Sequence, residues 1–212
     1  MSLINLQKGL FIAIEGIDGA GKSTQIRKLC EWFENQGLET VALREPTDGP
    51  YGQQIREVAK KQRHLFKPED ELELFIQDRI EDCEKNIQPA LDRKAMVFID
   101  RYFYSNIAYQ GALGLDPQMI RGKNEAIAIL PDLVFVLDIP VQSGLHRIQT
   151  YRKDKPDDFE NVHYLEKVRA LFLAMQDPQM IQIDATRKAE EVFEDIRNHI
   201  LGLIKTTLGS KI

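Results

Sequence analysis

The most constraining stretch of this chain is Gly16-Ile17-Asp18-Gly19-Ala20-Gly21-Lys22-Ser23-Thr24, which fits G-x-x-x-x-G-K-[ST]. An apolar run, Leu10 to Glu15 (LFIAIE), stands directly before it. Directly after it, Ser23 to Gln36 carries Ile26, Leu29, Cys30 and Phe33 on one helical stripe, with Gly37 at the expected stop. Buried strand, glycine loop and helix in that order turn successive backbone N–H groups inward at the positive end of a helix dipole. Such a nest takes phosphate. The spacing puts Lys22 on the β- and γ-phosphates of a nucleoside triphosphate and the Ser23 hydroxyl on its magnesium ion.

Four further strand-length runs follow: Thr40 to Arg44, Ala95 to Asp100 (AMVFID), Leu133 to Asp138 (LVFVLD) and Met180 to Asp184 (MIQID). Helical patterns fill the gaps at 51–62, 68–93, 104–109, 117–128, 141–150, 162–175 and 189–208. Pro89 is expected to kink or restart the long 68–93 helix. Apolar strands alternating with helices predict an α/β fold, a P-loop NTPase-type three-layer α/β/α structure on a five-stranded parallel sheet. Ligands of such sheets bind beyond the carboxyl ends of the strands. Three chemistry-bearing segments fall there: the loop 16–24, Arg44-Glu45-Pro46 and Asp100-Arg101-Tyr102.

The 212 residues, 43% of them hydrophobic, suit one domain over 1–212 with a sizeable core. Lys plus Arg number 28 against 33 Asp plus Glu, a net charge of −5, so the basic excess of a nucleic-acid coat is missing. Apolar runs such as Leu133 to Leu137 fall far short of the roughly 20 residues that span a bilayer. With no basic segment leading a long apolar one at the N-terminus, the expected location is cytoplasmic, without membrane or nucleic-acid partners. Cys30 and Cys83 cannot build a disulfide framework or a zinc site, and both read as buried free thiols.

A phosphate loop is shared by switches, motors and small-molecule kinases. An N-K-x-D or T-K-x-D base-reading segment, which a GTPase switch needs, is missing after the fourth strand. The remaining motifs favour a small kinase. They are Asp18 inside the loop, Arg44-Glu45-Pro46, Phe75-x-x-x-Arg79 and Asp100-Arg101-Tyr102. Ser105-Asn106, Tyr109-Gln110-Gly111, Leu137-Asp138 and Ile183-Asp184-Ala185-Thr186 follow in order. From about Leu10 to Ile200 the chain resembles the thymidylate kinase family. That resemblance implies ATP with Mg2+ as phosphoryl donor, dTMP as acceptor, dTDP and ADP as products, and a homodimer.

Each role has physical sense. Gly16, Ile17, Asp18, Gly19, Ala20, Gly21, Lys22, Ser23, Thr24 and Arg147 are expected around ATP. Phe75 and Arg79 share a helix face, and in the similar kinases these positions stack the thymine and bond its O4. Arg101 is expected to clamp phosphate oxygens, and Asp100 to hold magnesium through water or to orient Arg101. A carboxylate at Asp18 opposes ATP, so it needs another use; the resemblance gives it the deoxyribose 3′-hydroxyl. Tyr109 is expected against the sugar, Ser105 and Asn106 at the base edge, and Arg44 near the acceptor phosphate. The charged segment of about 150–160 reads as a short lid, with Arg152 or Lys153 closing over ATP, because Gly19 stands where some relatives carry a loop arginine. After Pro46 the sequence Thr47-Asp48-Gly49-Pro50-Tyr51-Gly52 departs from the two glycines common in the family. Two alternatives stay open here: a related kinase for another deoxynucleotide or deoxynucleoside, and a nucleotide-binding module without transfer activity.

Overall fold

Each of the five apolar runs forms a strand: β1 (Leu10–Glu15), β2 (Thr40–Arg44), β3 (Met96–Asp100), β4 (Leu133–Asp138) and β5 (Met180–Asp184). The computed structural model describes residues 4, 6–61, 66–152 and 162–207, with the backbone alone at 60, 61, 151, 152 and 207. Among the described residues the strands make one sheet in the order β2-β3-β1-β4-β5, and every pairing is parallel. All six residues of β1 and all five of β3 are buried, so both faces of the sheet centre are covered. The edge strands β2 and β5 are only partly buried.

Register brings the functional ends level. Ile14 pairs with Asp100, and Arg44 pairs with Asp100 from the other side, so β1, β2 and β3 stop at one rim. Asp138 at the end of β4 pairs with Asp184 of β5. The loops leaving this rim carry the site.

The helices are α1 (Lys22–Glu34), α2 (Pro50–Lys61), α3 (Pro68–Asp82), α4 (Gln88–Asp92), α5 (Phe103–Ala112), α6 (Pro117–Glu125), α7 (Val141–Arg152), α8 (Val162–Ala174) and α9 (Ala189–Thr207). Packing pairs α1 with α9, α2 with α3, and α5 with both α6 and α8. The first helix begins one residue earlier than its pattern predicts and ends two earlier. Gln36 and Gly37 already bond back three residues, to Phe33 and Glu34, which closes the helix as a tighter turn.

The expected 68–93 helix is broken, and the break has a definite form. A π-helical turn, Cys83–Ile87, separates α3 from α4, and Pro89 sits in the first turn of α4 where its missing N–H costs no bond. Helix α5 is longer than the 104–109 pattern, and α6 stops short of 128. Cys83 is buried, as expected, but Cys30 is only partly so. No helix among the described residues is long and apolar enough to cross a membrane.

Candidate active site

The loop between β1 and α1 takes its shape from two close approaches. Gly16 has φ 132°, and a Cβ there would lie 2.6 Å from the Leu137 carbonyl oxygen. Gly19 has φ 80°, and its Cβ would lie 2.2 Å from the carbonyl oxygen of Gly144 in α7. Both positions need a residue without a side chain. The second contact leaves no room for a side chain at Gly19, because the α7 backbone fills the space. Arg147, one turn along α7, ties the loop to the exit of β5, donating to the Gly19 carbonyl at 3.5 Å and to the Ala185 carbonyl at 3.0 Å.

Lys22 is buried under the loop. Its Nζ donates to the carbonyls of Gly16 and Ile17, both at 3.1 Å. Burial, and next the Arg101 charge, push its pKa down to about 8, against the pull of Asp100, Asp18 and Glu15. Beside it the Ser23 hydroxyl donates to Asp100 Oδ2 at 2.6 Å. A cavity of about 550 Å³ opens over these groups, lined by the loop, Asp100, Arg101, Arg147 and Arg44.

Arg101 follows β3 in a left-handed conformation, φ 70°. Its Nη2 donates to Asp18 Oδ1 at 2.9 Å and to the Tyr109 hydroxyl at 3.0 Å. Its Nη1 donates to Ser105 Oγ at 3.2 Å. The guanidinium also lies over the Tyr109 ring, 4.8 Å from its centre. Burial works against this charge, but Tyr109, Asp18 and Asp100 outweigh it and hold the pKa well above the ordinary guanidinium value.

A second cavity, of about 200 Å³, opens on the other side of Arg101. Asp18, Phe75, Arg79, Ser105, Asn106 and Tyr109 line it. Arg79 is wholly buried. It donates through Nη1 to Asn106 Oδ1 at 2.8 Å and to the Asn124 side-chain oxygen, and through Nη2 to Glu45. Its guanidinium lies 4.9 Å from the centre of the Tyr102 ring. Burial disfavours its charge, but Glu45, Tyr102 and Cys83 together outweigh it and raise the pKa. Among the described residues its buried Nε–H has no partner.

Two comparisons with known proteins bear on this arrangement. The family model for thymidylate kinase matches residues 14–196. The chain is 42% identical over 197 residues to a thymidylate kinase of Desulfotalea psychrophila, covering 93% of this chain and 96% of the relative. It is 42% identical over 191 residues to a probable thymidylate kinase of Archaeoglobus fulgidus, covering 90% and 94%. A thymidylate kinase of Xanthomonas campestris is 46% identical over 184 residues, covering 87% and 79%. The chain belongs to the thymidylate kinase family.

Thymidylate kinase motifs that lie far apart in the sequence converge here. Asp18, Phe75, Arg79, Arg101, Ser105, Asn106 and Tyr109 share the smaller cavity, while residues 18–24, Asp100 and Arg147 share the larger one. Arg44 lines the larger cavity, and an arginine the sequence did not single out, Arg56 of α2, reaches the smaller one. Arg56 also donates to the Pro46 carbonyl at 3.1 Å. The turn after Pro46 is held from α3, where Asp78 accepts from the Thr47 amide at 2.8 Å and from its hydroxyl at 2.6 Å. The lid expected at about 150–160 lies outside the described residues, apart from Thr150 and the backbone of 151 and 152, so nothing places the Arg152 or Lys153 side chain.

Glu15, Glu45 and Asn124 are further polar residues that sequence reasoning passed over. Glu15 ends an apolar strand with a charge that has no local partner, which is a readable signal. Glu45 stood inside a quoted motif without a role. Asn124 lies 45 positions from the arginine it meets, and nothing local marks it.

Proposed function

We propose that the two cavities divide the thymidylate kinase reaction: ATP over the loop 16–24, dTMP in the smaller cavity, and transfer across Asp18 and Arg101. The observation that carries this reading is that Asp18 and Arg101 line both cavities. In the family's reaction the γ-phosphoryl group of ATP passes to dTMP, giving dTDP and ADP. A dTMP phosphate oxygen attacks the γ-phosphorus in line. The new P–O bond forms as the β,γ-bridging bond breaks, and its electron pair leaves on ADP. A phosphate oxygen is a weak base whose proton is already gone near neutral pH, so no strong general base is required.

The chain's own groups then position and neutralise. Loop amides and Lys22 take the β- and γ-phosphates, with Arg147 near the nucleotide. Arg101 holds phosphate oxygens from donor and acceptor. Thymine lies against Phe75, and the free Arg79 Nε–H in the cavity wall suits a base carbonyl. Ser105 and Asn106 flank the base edge, Tyr109 flanks the sugar, and Asp18 accepts from its 3′-hydroxyl. Ser23 and Asp100 offer hard oxygen donors 2.6 Å apart, the donor type that Mg2+ takes. Among the described residues no group of three or more His, Cys, Asp or Glu side chains could cage a metal ion, which suits an ion that arrives on ATP. Bound there, Mg2+ would supply charge neutralisation to the β- and γ-oxygens. Arg152 in a lid, a homodimer, a single domain and a cytoplasmic location complete the proposal.

Steady-state kinetics of Arg101→Ala tests it. Turnover should fall by on the order of 10²–10³, as when one transition-state donor is removed elsewhere. Turnover near that of the parent chain would refute the shared role.

A further inference from the structure

Glu15 is the last residue of β1 and is wholly buried. Its Oε1 accepts from the Tyr102 amide at 2.7 Å and the Ser105 amide at 3.2 Å, and its Oε2 accepts from the Ser105 hydroxyl at 2.6 Å. Both amides lie at the start of α5, where helix N–H groups lack a partner one turn back; the Ser105 amide also donates to the Tyr102 carbonyl at 2.9 Å, so Glu15 shares it. Tyr102, the residue in the capping position, makes no side-chain capping bond; its hydroxyl donates instead to the Ile129 carbonyl. A carboxylate from a neighbouring strand therefore does the capping.

We propose that Glu15 is a positioning residue for phosphoryl transfer, setting the Arg101 guanidinium through Ser105 and the first turn of α5. A Ser hydroxyl has one proton and two lone pairs. Glu15 takes the proton, so the lone pairs are left to face Arg101 Nη1 at 3.2 Å. Arg101 itself has φ 70°, a conformation that an ordinary residue keeps only when its surroundings hold it there. Asp100 precedes it at the end of a paired strand, and Tyr102 follows it with its amide fixed on Glu15. Glu15 also immediately precedes Gly16, so one residue anchors the start of the phosphate loop and the acceptor-side arginine together. The inference rests on the proposed role of Arg101.

The test is kinetics on the full chain at pH 8, above the Glu15 carboxyl, which burial pushes up to about 7. Glu15→Gln keeps the size and one acceptor oxygen but cannot accept from the Ser105 hydroxyl through its NH2. Its kcat should fall about tenfold, the worth of one good hydrogen bond, while KM for ATP stays within about twofold. Ser105→Ala leaves the two backbone bonds to Glu15 in place and should lose a similar factor. Because the two act in one chain of contacts, the double variant should be no slower than the worse single. Losses that multiply in the double variant would overturn the proposal. So would a Glu15→Gln protein that melts lower but turns over at the parent rate, which is a purely structural cap. If Glu15→Gln does not fold, Ser105→Ala decides, and full turnover there refutes the relay. Arg101→Ala is assayed alongside. A fast Arg101→Ala would remove the reading of the site itself, whereas a slow Arg101→Ala with fast Glu15→Gln and Ser105→Ala would remove the positioning role alone.

Discussion

Lys22 occupies a place that works against its charge, under the loop and beside Arg101, so its pKa drops to about 8. Two loop carbonyls hold it, and in the proposed reaction phosphate oxygens take their place. Lys22→Ala should therefore cost turnover by on the order of 10²–10³ with no loss of melting temperature, checked by initial rates and thermal unfolding. A melting temperature far below the parent would place Lys22 in the scaffold instead. Arg79 is the opposite case. Removing it leaves Glu45 buried without its cation, so Arg79→Ala should cost about 3–5 kcal/mol in denaturant unfolding as well as raise KM for dTMP. Lys22 was legible in the sequence because its partners lie within six residues of it. Arg79 was legible only through resemblance, and its partners Glu45, Asn106 and Asn124 come from three other segments. No local pattern encodes such a network.

At the scale of elements, the strands were the easiest to read. LFIAIE and LVFVLD fall on β1 and β4 without a shift, because a strand buried in a parallel sheet is a short apolar run; the part-buried edge run MIQID also falls on β5. Helix ends were harder. The start of α5 depends on Glu15, which is 90 positions from Ser105, and the π-helical turn 83–87 has no signal beyond Pro89 after it. The contact between Gly19 and Gly144 was also hidden, since each glycine alone reads as a turn or a weak helix position. It makes α7 a wall of the phosphate loop. Gly19→Ala should raise KM for ATP at least about tenfold while KM for dTMP moves little, because the loop, rather than the smaller cavity, must give way. Equal effects on both substrates would show that the strain spreads beyond the loop.

Over the whole molecule the charge of −5 is unevenly placed, with Lys22, Arg44, Arg79, Arg101 and Arg147 gathered around the two cavities. The buried acids leave a second global mark. Burial raises Glu15 from 4.5 to about 7 and Asp82 from 3.8 to about 6. In both, the folded chain holds its proton more tightly than the unfolded chain does, so these groups make stability fall as pH climbs from about 4 to about 7. Lys22 acts above that window, its depressed pKa adding stability between about 8 and 10.5. Melting temperature should therefore be higher at pH 5.5 than at pH 7.5, and Glu15→Gln should reduce the difference. An unchanged slope in that variant would mean that Glu15 does not titrate as its burial requires.

All three scales meet in the two cavities joined at Asp18 and Arg101. The most direct measurement is the initial rate of phosphoryl transfer from ATP with Mg2+ to dTMP, dUMP, dCMP, dAMP and dGMP in turn. Membership of the thymidylate kinase family predicts that dTMP has the highest kcat/KM, with dTDP and ADP formed in equal amounts. A higher kcat/KM for any other acceptor, or ATP binding without transfer to any of them, would contradict it.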